Sequence, residues 1–236
     1  GVLSEIDVAE AFSPVDDKGG EFFKKYQEMY GYYDVFLINP DGYVFYSAAK
    51  EADYQTNMVS GKYASSNLGQ LIRKVIQSKN FAMADFAPYA PSNDEPAAFV
   101  AQPVVNDGTV EIVVALQLPL DAINGIMQQR EGMGETGETY LIGSDKLMRS
   151  DSFLDPTNHT VKASFANPGR GSVDTEGARE AISGRTDAKI ITDYNGNPVL
   201  SAYTPLQIGD ITWGILAEID LAEVEQPIND LVWAII

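Results

Sequence analysis

The sequence predicts an α+β protein made of two similar modules in tandem, each with a five-stranded antiparallel sheet and flanking helices. Short apolar strands follow one another through tight turns rich in Asp, Asn and Gly, which is typical of antiparallel hairpins. In addition, residues 95–123 and 197–224 share one pattern: a strand, a proline, an apolar pair, a tight turn with Asp and Gly, a strand and an acidic helix start. The two blocks are about 100 residues apart, the size of a small domain.

The first module begins with a predicted helix at Glu21–Tyr30, with Phe22, Phe23, Tyr26 and Met29 on one face. Strands at Asp34–Asn39 and Tyr43–Ala48 are joined by the turn Pro40-Asp41-Gly42. A helix is predicted over Ser66–Ser78 because its leucines, isoleucines and valines recur at helical spacing. Three further strands are expected at 81–89, 97–105 and 109–118, followed by a helix over Leu120–Arg130.

The second module repeats the plan, with strands predicted at Thr139–Ile142, Leu147–Asp151, Ala188–Tyr194, Val199–Gln207 and Ile211–Ile219. Its insertion, 153–187, is rich in Gly, Ser, Asn and Asp, which predicts a loop around one short helix at Glu176–Ser183. Between the modules, Gly132 and Gly134 are candidate C-cap glycines. The stretch GETGETYLIGSDKLMRSDS is therefore interpreted as a hinge that enters the first hairpin of module two, rather than as a catalytic loop.

The composition excludes several classes of function. The 16 Lys and Arg residues face 34 Asp and Glu, a net charge of −18, so a nucleic acid partner is not expected. The chain has no cysteine, which excludes disulfides, thiolate catalysis and zinc-thiolate sites. The single histidine, His159, lies in the polar run DPTNHT and is interpreted as a loop residue.

The last six residues, LVWAII, are wholly apolar and follow a polar run. One interpretation is a docked C-terminal helix. We favour the other, the first turn of a transmembrane helix with Trp233 at the interface.

Several runs in fixed order resemble the double-Cache periplasmic sensor domain of bacterial chemotaxis receptors and related membrane-bound kinases and cyclases. They are GYYDVFLINPDGYVFYSAAKEADYQTN, FAPYAPSNDEPAAFVAQPV, GETGETYLIGSDKLMRSDS, DYNGNPVLSAYTPL and WGILAEID, and they span residues 31–228. The resemblance implies an N-terminal helical segment (1–30), a membrane-distal PAS-like module (31–130), a proximal PAS-like module (131–225) and a C-terminal helix leading into the membrane (226–236). It also implies a small ligand in the distal module, a location on the outer side of the bacterial inner membrane, and a possible homodimer.

The ligand pocket is expected in a hollow beneath the first sheet. In its fifth strand, one set should face the core: Val110, Ile112, Val114, Leu116 and Leu118. The alternate set should face solvent or line a small cavity: Glu111, Val113, Ala115 and Gln117. In many amino-acid-binding members of the family an aspartate stands where this chain has Gln117, and their Arg-x-Trp-Tyr motif is missing here. A standard amino acid is therefore disfavoured as the ligand.

The predicted binding residues supply apolar walls and a few polar points: Tyr46, Tyr54, Tyr63, Asp85, Tyr89, Phe99 and Gln117. Asp85 could accept from an amine or an amide, and Lys62 or Arg73 could reach an acid. Core packing remains the alternative role for each aromatic residue.

The second module is expected to transmit rather than to sense. Arg149 and Asp151 are interpreted as a structural ion pair, and Glu218 with Asp220 as a solvated acidic edge. We expect Tyr194, Tyr203 and Trp213 to fill a core. A calcium site in the loop Asp151–Asp155 is left open.

The sequence contains no nucleophile elbow, P-loop or metal-spacing motif, so we expect neither enzyme activity nor a cofactor or metal. The prediction is a ligand-sensing domain that works by population shift. Two alternatives stay open: an extracytoplasmic assembly or adhesion module without a ligand, and a carboxylate-based hydrolase.

Overall fold

A computed structural model describes residues 19–226, so LVWAII and most of the predicted N-terminal segment lie outside the described residues. The chain divides into two compact units, Gly1–Pro119 and Leu120–Ile236. Within the described range, no helix is long and apolar enough to cross a membrane. The predicted α+β class with antiparallel sheets is confirmed.

The first unit contains helix α1 (Gly19–Tyr30), five strands and helix α2 (Asn67–Ser78). Its strands are β1 (Asp34–Ile38), β2 (Val44–Ser47), β3 (Ala82–Tyr89), β4 (Glu95–Asn106) and β5 (Thr109–Gln117). They form one antiparallel sheet in the order β2-β1-β5-β4-β3. Helix α2 begins where Ser66 Oγ accepts from Gly69 N, and ends at Lys79 in the left-handed conformation.

The core of the first unit lies between α2 and one face of this sheet. The helix buries Leu68, Leu71, Ile72 and Val75 against the sheet residues Phe36, Phe99 and Ala115. Large apolar side chains at helical spacing meet strand residues at alternate positions, which is the pattern that produced the prediction of these elements.

The predicted alternation along β5 is correct at Val110 and wrong for the residues that follow Glu111. Val105 pairs with Val110 and Val104 with Ile112, so Glu111 is an extra residue in a β-bulge. One extra residue exchanges the two faces of a strand. As a result Val110, Val113, Ala115 and Gln117 are buried, whereas Ile112, Val114 and Leu116 are only half-buried.

The second unit holds a four-stranded antiparallel sheet in the order β6-β9-β8-β7. Its strands are β6 (Glu138–Ile142), β7 (Asp187–Thr192), β8 (Pro198–Ile208) and β9 (Ile211–Asp220). Its helices include α3 (Leu120–Met127), α4 (Val161–Ala166), α5 (Pro168–Gly171) and α6 (Glu176–Ile182), and residues 221–226 are helical as well. The insertion thus contains three short helices rather than the predicted one.

The strand predicted at Leu147–Asp151 does not form. Only one isolated bridge, between Ile142 and Met148, joins this segment to β6. Two serine side chains take the place of ladder carbonyls: Ser150 Oγ accepts from Leu141 N at 2.9 Å, and Ser164 Oγ accepts from Met148 N at 3.2 Å. Hydroxyl groups of this kind compete with the sheet ladder, and apolar alternation does not reveal them.

Replacing Ser150 by alanine is expected to lower the free energy of unfolding of the second unit by about 1–3 kcal/mol, because the buried Leu141 N–H loses its acceptor. Both tryptophans, Trp213 and Trp233, belong to this unit, so fluorescence during urea unfolding reports its stability. Ser60→Ala, at an exposed serine of the first unit, is the control and should leave the transition unchanged. Equal midpoints for Ser150→Ala and the parent protein would contradict the assignment.

The loop at 134–137, interpreted as a hinge, is held from two sides. The predicted C-cap is wrong, because α3 ends at Met127, before the predicted Arg130, and Gly132 and Gly134 lie five and seven residues beyond its end, although both have positive φ angles. The Arg130 guanidinium donates to the Gly134 and Glu135 carbonyls at 2.7 and 3.0 Å. From the other side, the Glu223 carboxylate accepts from the N–H groups of Glu135 and Thr136 at 2.9 and 2.8 Å. The segment is therefore anchored both to the end of α3 and to the chain after β9.

Candidate functional site

The candidate site lies on the α2-facing side of the first sheet, where three strands meet. Antiparallel register places Asp34, the first residue of β1, opposite Gln117, the last residue of β5. The same register places Phe99 of β4 on the other side of Gln117. These side chains therefore project together toward the segment 48–66, which connects β2 to α2.

Asp34 is fully buried and fully hydrogen-bonded. Its Oδ1 accepts from Val35 N at 2.7 Å and from Ala49 N at 2.9 Å, and its Oδ2 accepts from Ser47 Oγ at 2.7 Å. Burial raises the pKa of the Asp34 carboxyl from 3.8 to about 6, although these hydrogen bonds lower it and the Asp53 carboxyl raises it slightly.

Asp53 is also fully buried, but only one of its oxygens has a partner. Its Oδ2 accepts from the hydroxyl of Tyr89 at 2.5 Å, whereas Oδ1 has no hydrogen-bond partner. Burial raises the pKa of Asp53 and the nearby Glu51 carboxyl raises it further, whereas the hydrogen bond from Tyr89 and the adjacent backbone N–H groups of Asp53 and Tyr54 lower it.

Gln117 has the same deficiency: its side chain is 5% exposed and its Oε1 is buried without a partner. Within residues 19–226, Asp53 Oδ1 and Gln117 Oε1 are the two buried side-chain polar atoms left unsatisfied. A buried acceptor without a donor costs about 1–3 kcal/mol, so such atoms are rare in native proteins. We call Asp34, Asp53, Tyr89 and Gln117 the acceptor cluster.

Aromatic rings form the wall beside the acceptor cluster. The Phe99 ring lies 4.8 Å from that of Tyr89 and 6.2 Å from that of Phe36, in edge-to-face arrangements. Tyr63 is buried in the same core, and Tyr54 packs against it. The structure thus groups Tyr54, Tyr63, Tyr89, Phe99 and Gln117, five of the residues predicted to bind a ligand, in one unit of the fold and on one side of its sheet.

Tyr46 and Asp85 lie elsewhere. Tyr46 pairs with Leu37 on the opposite face of the sheet, where its ring contacts Phe23 and its hydroxyl donates to the Gly20 carbonyl. Leu37 pairs with Tyr46 and Ile38 with Val44, so Phe45 is an extra residue in a β-bulge, and this bulge turns Tyr46 to that side. Asp85 lies on a bulge of β3 and lines a groove of about 330 Å³ beside α2, with Asn67, Lys74 and Met83. Tyr46 and Asp85 therefore lie outside the acceptor cluster.

The two basic residues considered for a ligand carboxylate have other contacts. The Arg73 guanidinium donates to the carbonyls of Ala64 and Val59 at 2.7 and 3.4 Å. The Lys62 ammonium lies 5.0 Å from the centre of the Tyr63 ring.

The expected hollow beneath the first sheet is filled by the protein's own side chains. Phe36, Met58, Tyr89, Phe99 and Leu68 are each fully buried there. A ligand can therefore reach the acceptor cluster only if part of its cover moves. Since Asp53 itself lies in the segment 48–66, movement of this segment would expose one of the two unsatisfied acceptors.

Sequence analysis missed Asp34 and Asp53. Asp34 starts the run DVFLI, in which every residue is buried, and a carboxylate at the head of a fully buried strand is a signal that could have been used. Asp53 lies in an irregular segment, and no local pattern places it next to Tyr89, 36 residues away.

The second unit has a corresponding polar cluster in which every acceptor is filled. Glu138 of β6 lies opposite Glu218 of β9, as Asp34 lies opposite Gln117. Glu218 accepts from the Tyr140 hydroxyl and from Ser201 Oγ, both at 2.8 Å. Glu138 accepts from Ser152 Oγ at 2.7 Å, from Phe153 N at 3.1 Å, and from the Tyr194 hydroxyl.

The prediction that Glu218 belongs to a solvated acidic edge is wrong. Its side chain is 4% exposed, and burial raises its pKa. Glu218 points to the same side of the sheet as Ser201, which lies opposite it on β8, and helix α6 packs on that side against β8 and β9. Sequence alternation alone could not show which face this helix covers. Tyr203 and Trp213 are buried, while the hydroxyl of the half-buried Tyr194 is held by Glu138.

Arg149 and Asp151 do not pair with each other. Arg149 is buried and pairs with Asp145 at 3.0 Å. Asp151 accepts from Val161 N at 2.7 Å and from the Asn124 amide at 2.8 Å. His159, in its loop, is buried and lies 2.8 Å from Asp155.

The carboxylates of the loop considered for calcium are thus occupied by protein donors. In the described part of the chain, no group of three or more His, Cys, Asp or Glu residues is arranged to hold a metal ion. A groove of about 520 Å³ in this unit is lined by Asp174, Glu176, Arg179, Asp193 and Tyr194 among others. Asp174 and Glu176 form surface ion pairs with Arg179 and Lys189, both at 2.8 Å, and Asp193 accepts from the backbone N–H groups of Asn195 and Asn197.

A sequence profile of the Cache domain family matches residues 2–228. No curated protein sequence matches the chain. The chain is similar in structure to the periplasmic sensory domain of the Campylobacter jejuni chemoreceptor Tlp1, with a TM-score of 0.59 and 15% identity over 90% of this chain and 81% of that one.

Two further structures are similar. One is the ligand-binding domain of the Pseudomonas aeruginosa amino acid chemoreceptor PctC in complex with GABA, with a TM-score of 0.51 and 14% identity over 80% of this chain and 74% of that one. The other is an extracellular ligand binding receptor from Desulfohalobium retbaense, with a TM-score of 0.54 and 13% identity over 79% of this chain but only 30% of that one. At such identities the likeness to these structures shows the fold alone.

Proposed function

The chain belongs to the Cache domain family, and on that premise we propose that it is the extracytoplasmic sensor domain of a bacterial transmembrane receptor whose first unit binds a small ligand. Binding would take place at the acceptor cluster, and the second unit would transmit the change. Its fold is shared with chemoreceptor sensor domains, and no observation favours the assembly module or the hydrolase.

The observation that carries this proposal is the difference between the two polar clusters. Both units place acidic or amide side chains opposite each other on their central strands. In the second unit these side chains are satisfied by protein donors, whereas in the first unit Asp53 Oδ1 and Gln117 Oε1 are not. An unfilled buried acceptor destabilises the free protein, and a ligand that donates to it recovers that free energy.

The chemical class of the ligand is the point on which sequence and comparisons differ. The neutral amide at Gln117 and the missing Arg-x-Trp-Tyr motif disfavour a standard amino acid, but PctC is an amino acid chemoreceptor and was solved with GABA. Amino acids therefore belong in any ligand screen.

Signalling would follow from opening and closing of the segment 48–66. A ligand that donates to Asp53 binds one arrangement of that segment better than the other, and only such differential affinity shifts a population. The change would pass through the anchored loop 134–137 and Glu223 to the chain that follows β9. We further propose that this chain leads into the membrane, and that the full-length receptor forms a homodimer.

Gln117→Met is expected to weaken binding of an identified ligand roughly ten- to hundredfold, because methionine keeps the volume but cannot accept a strong hydrogen bond. The same change should leave the stability of the free protein equal or higher, since it removes an unsatisfied buried acceptor. Thermal-shift screening with metabolites, followed by calorimetry, measures both quantities.

Asp85→Asn is the matched control, because Asp85 lies in the same unit but outside the acceptor cluster. Its affinity should equal that of the parent protein. An unchanged affinity in Gln117→Met, or a large loss in Asp85→Asn, would move the site from the acceptor cluster to the groove beside α2.

A further inference from the structure

Resting on the proposed function, we infer that the ligand of the acceptor cluster is an organic amine that carries positive charge and no carboxylate, and that the carboxylates of Asp34 and Asp53 balance its charge.

The charged side chains around the acceptor cluster are all acidic, and they come from β1 and from the segment 48–66. Asp34 comes from β1, and Glu51 and Asp53 come from the segment 48–66. Glu51 accepts from the hydroxyl of Tyr33 at 2.8 Å and from Ser92 Oγ at 2.7 Å. The remaining groups are neutral: Tyr89 on β3, Phe99 on β4 and Gln117 on β5.

The described partners of these carboxylates are neutral groups rather than cations. All hydrogen bonds to Asp34, Glu51 and Asp53 come from hydroxyl or backbone N–H groups. Among residues 19–226, no ion pair includes any of the three. The basic residues of the segment 48–66, Lys50 and Lys62, lie over the rings of Tyr54 and Tyr63 at 5.6 and 5.0 Å.

Buried carboxylates without a cation either take up a proton or acquire a positive partner. Asp34 and Asp53 both hold their protons more tightly than a solvated aspartate, and burial and the neighbouring carboxyls are the causes. A bound cation reverses this effect by favouring the charged forms, so the pKa values of both carboxyls should fall when it binds.

The two unsatisfied acceptor atoms also indicate how many hydrogen-bond donors the ligand must supply. Asp53 Oδ1 and Gln117 Oε1 each require an N–H or O–H group. A protonated primary amine has three N–H donors and a protonated secondary amine has two, whereas a neutral alcohol has a single O–H. The aromatic wall of Tyr89 and Phe99 adds a surface of the kind that attracts organic cations.

The same charges disfavour an amino acid. Its carboxylate would enter beside Asp34, Glu51 and Asp53, and like charges a few ångströms apart repel strongly in a partly desolvated site. The Arg73 guanidinium, which could offset this repulsion, is bonded to the carbonyls of Ala64 and Val59.

The test compares amines with the amino acids that differ from them by one carboxylate: putrescine with ornithine, histamine with histidine, and tyramine with tyrosine. Calorimetry and thermal shift on the purified chain should show that at least one amine binds, and binds roughly tenfold or more tightly than its amino acid. Near pH 6, calorimetry in two buffers of different ionisation enthalpy should show release of up to about one proton per amine bound.

Asp53→Asn should weaken binding of that amine at least roughly tenfold and reduce the proton release, while asparagine Oδ1 can still accept from Tyr89. Asp107→Asn is the matched control. It makes the same chemical change in the exposed turn between β4 and β5, at the end of β5 remote from Gln117, and should leave both quantities unchanged.

Two results would overturn the inference, and they differ in what they leave standing. If amino acids or neutral metabolites bind as tightly as amines and Gln117→Met weakens them, the sensor function holds and the charge argument fails. If no amine binds and Gln117→Met affects no other ligand, the acceptor cluster is not the binding site and the proposed function fails as well.

Discussion

Replacing Phe99 by alanine is expected to lower the free energy of unfolding of the first unit by about 3–5 kcal/mol. The Phe99 side chain is fully buried, lies opposite Gln117 on the central part of the sheet, and contacts the rings of Tyr89 and Phe36. Truncation removes the transfer free energy of a phenyl ring and leaves a cavity that the surrounding strands cannot close. A loss of this size is a large fraction of the stability of a typical domain.

The two units can be followed separately. Tryptophan fluorescence reports on the second unit, whereas far-ultraviolet circular dichroism reports on the strands and helices of both. The part of the dichroism transition that fluorescence does not follow reports unfolding of the first unit. Phe99→Ala should move this part to a lower urea concentration. Phe81→Ala is the control, because Phe81 is 53% exposed and precedes β3. Equal shifts for the two variants would show that Phe99 is not part of the packed core.

Asp34→Asn is expected to make the first unit more stable at neutral pH, by up to ~3 kcal/mol. Burial raises the pKa of Asp34 from 3.8 to about 6 in the folded protein. The folded state therefore holds a proton on Asp34 that the unfolded state has lost, and the free energy of unfolding falls as the pH rises from about 4 through 6. Asparagine is neutral at every pH in this range, so Asp34→Asn removes the fall in the free energy of unfolding that deprotonation of Asp34 causes.

The hydrogen bonds of Asp34 allow the replacement. The asparagine oxygen can accept from Val35 N and Ala49 N, and its amide can donate to Ser47 Oγ. Urea unfolding between pH 4 and 7.5 measures the effect as the difference between variant and parent, which cancels the titration of other carboxyls. The stabilisation should be absent near pH 4 and complete above about pH 6. A difference that does not change with pH would contradict a raised pKa at Asp34.

Stability and binding are opposed at the acceptor cluster. A buried carboxyl that gains stability when it is neutralised, and an amide oxygen without a donor, both cost folding free energy in the free protein. The second unit has the corresponding pair of residues, Glu138 and Glu218, on neighbouring strands. There the hydroxyl groups of Tyr140, Ser152, Ser201 and Tyr194 donate to the two carboxylates. This contrast is why we place ligand binding in the first unit.

Much of the fold was predictable because its signals are local. Nearby residues were enough to predict the hairpin turns at Asp41-Gly42 and Asp107-Gly108 and the helix over 67–78. The repeated block around residues 95–123 was also visible in the sequence alone. A hydrophobic period of two residues predicts a strand and one of about 3.6 residues predicts a helix. The sequence repeat predicts that the same set of elements occurs in both units.

Local patterns alone did not determine which face of a strand is buried or which side chains meet. The bulge at Glu111 exchanged the faces of β5, and Ser150 and Ser164 replaced the ladder bonds of an expected strand. Tyr46 lies on the opposite face of the sheet from the site, whereas Asp53, in an irregular segment, contributes an unsatisfied acceptor oxygen to the site. The sequence by itself determined the family, the class of fold and the presence of Gln117 on the central strand. Only the tertiary structure decided that Asp34 and Asp53 join it, because hydrogen bonds between residues far apart in the chain depend on register and burial, which no local pattern encodes.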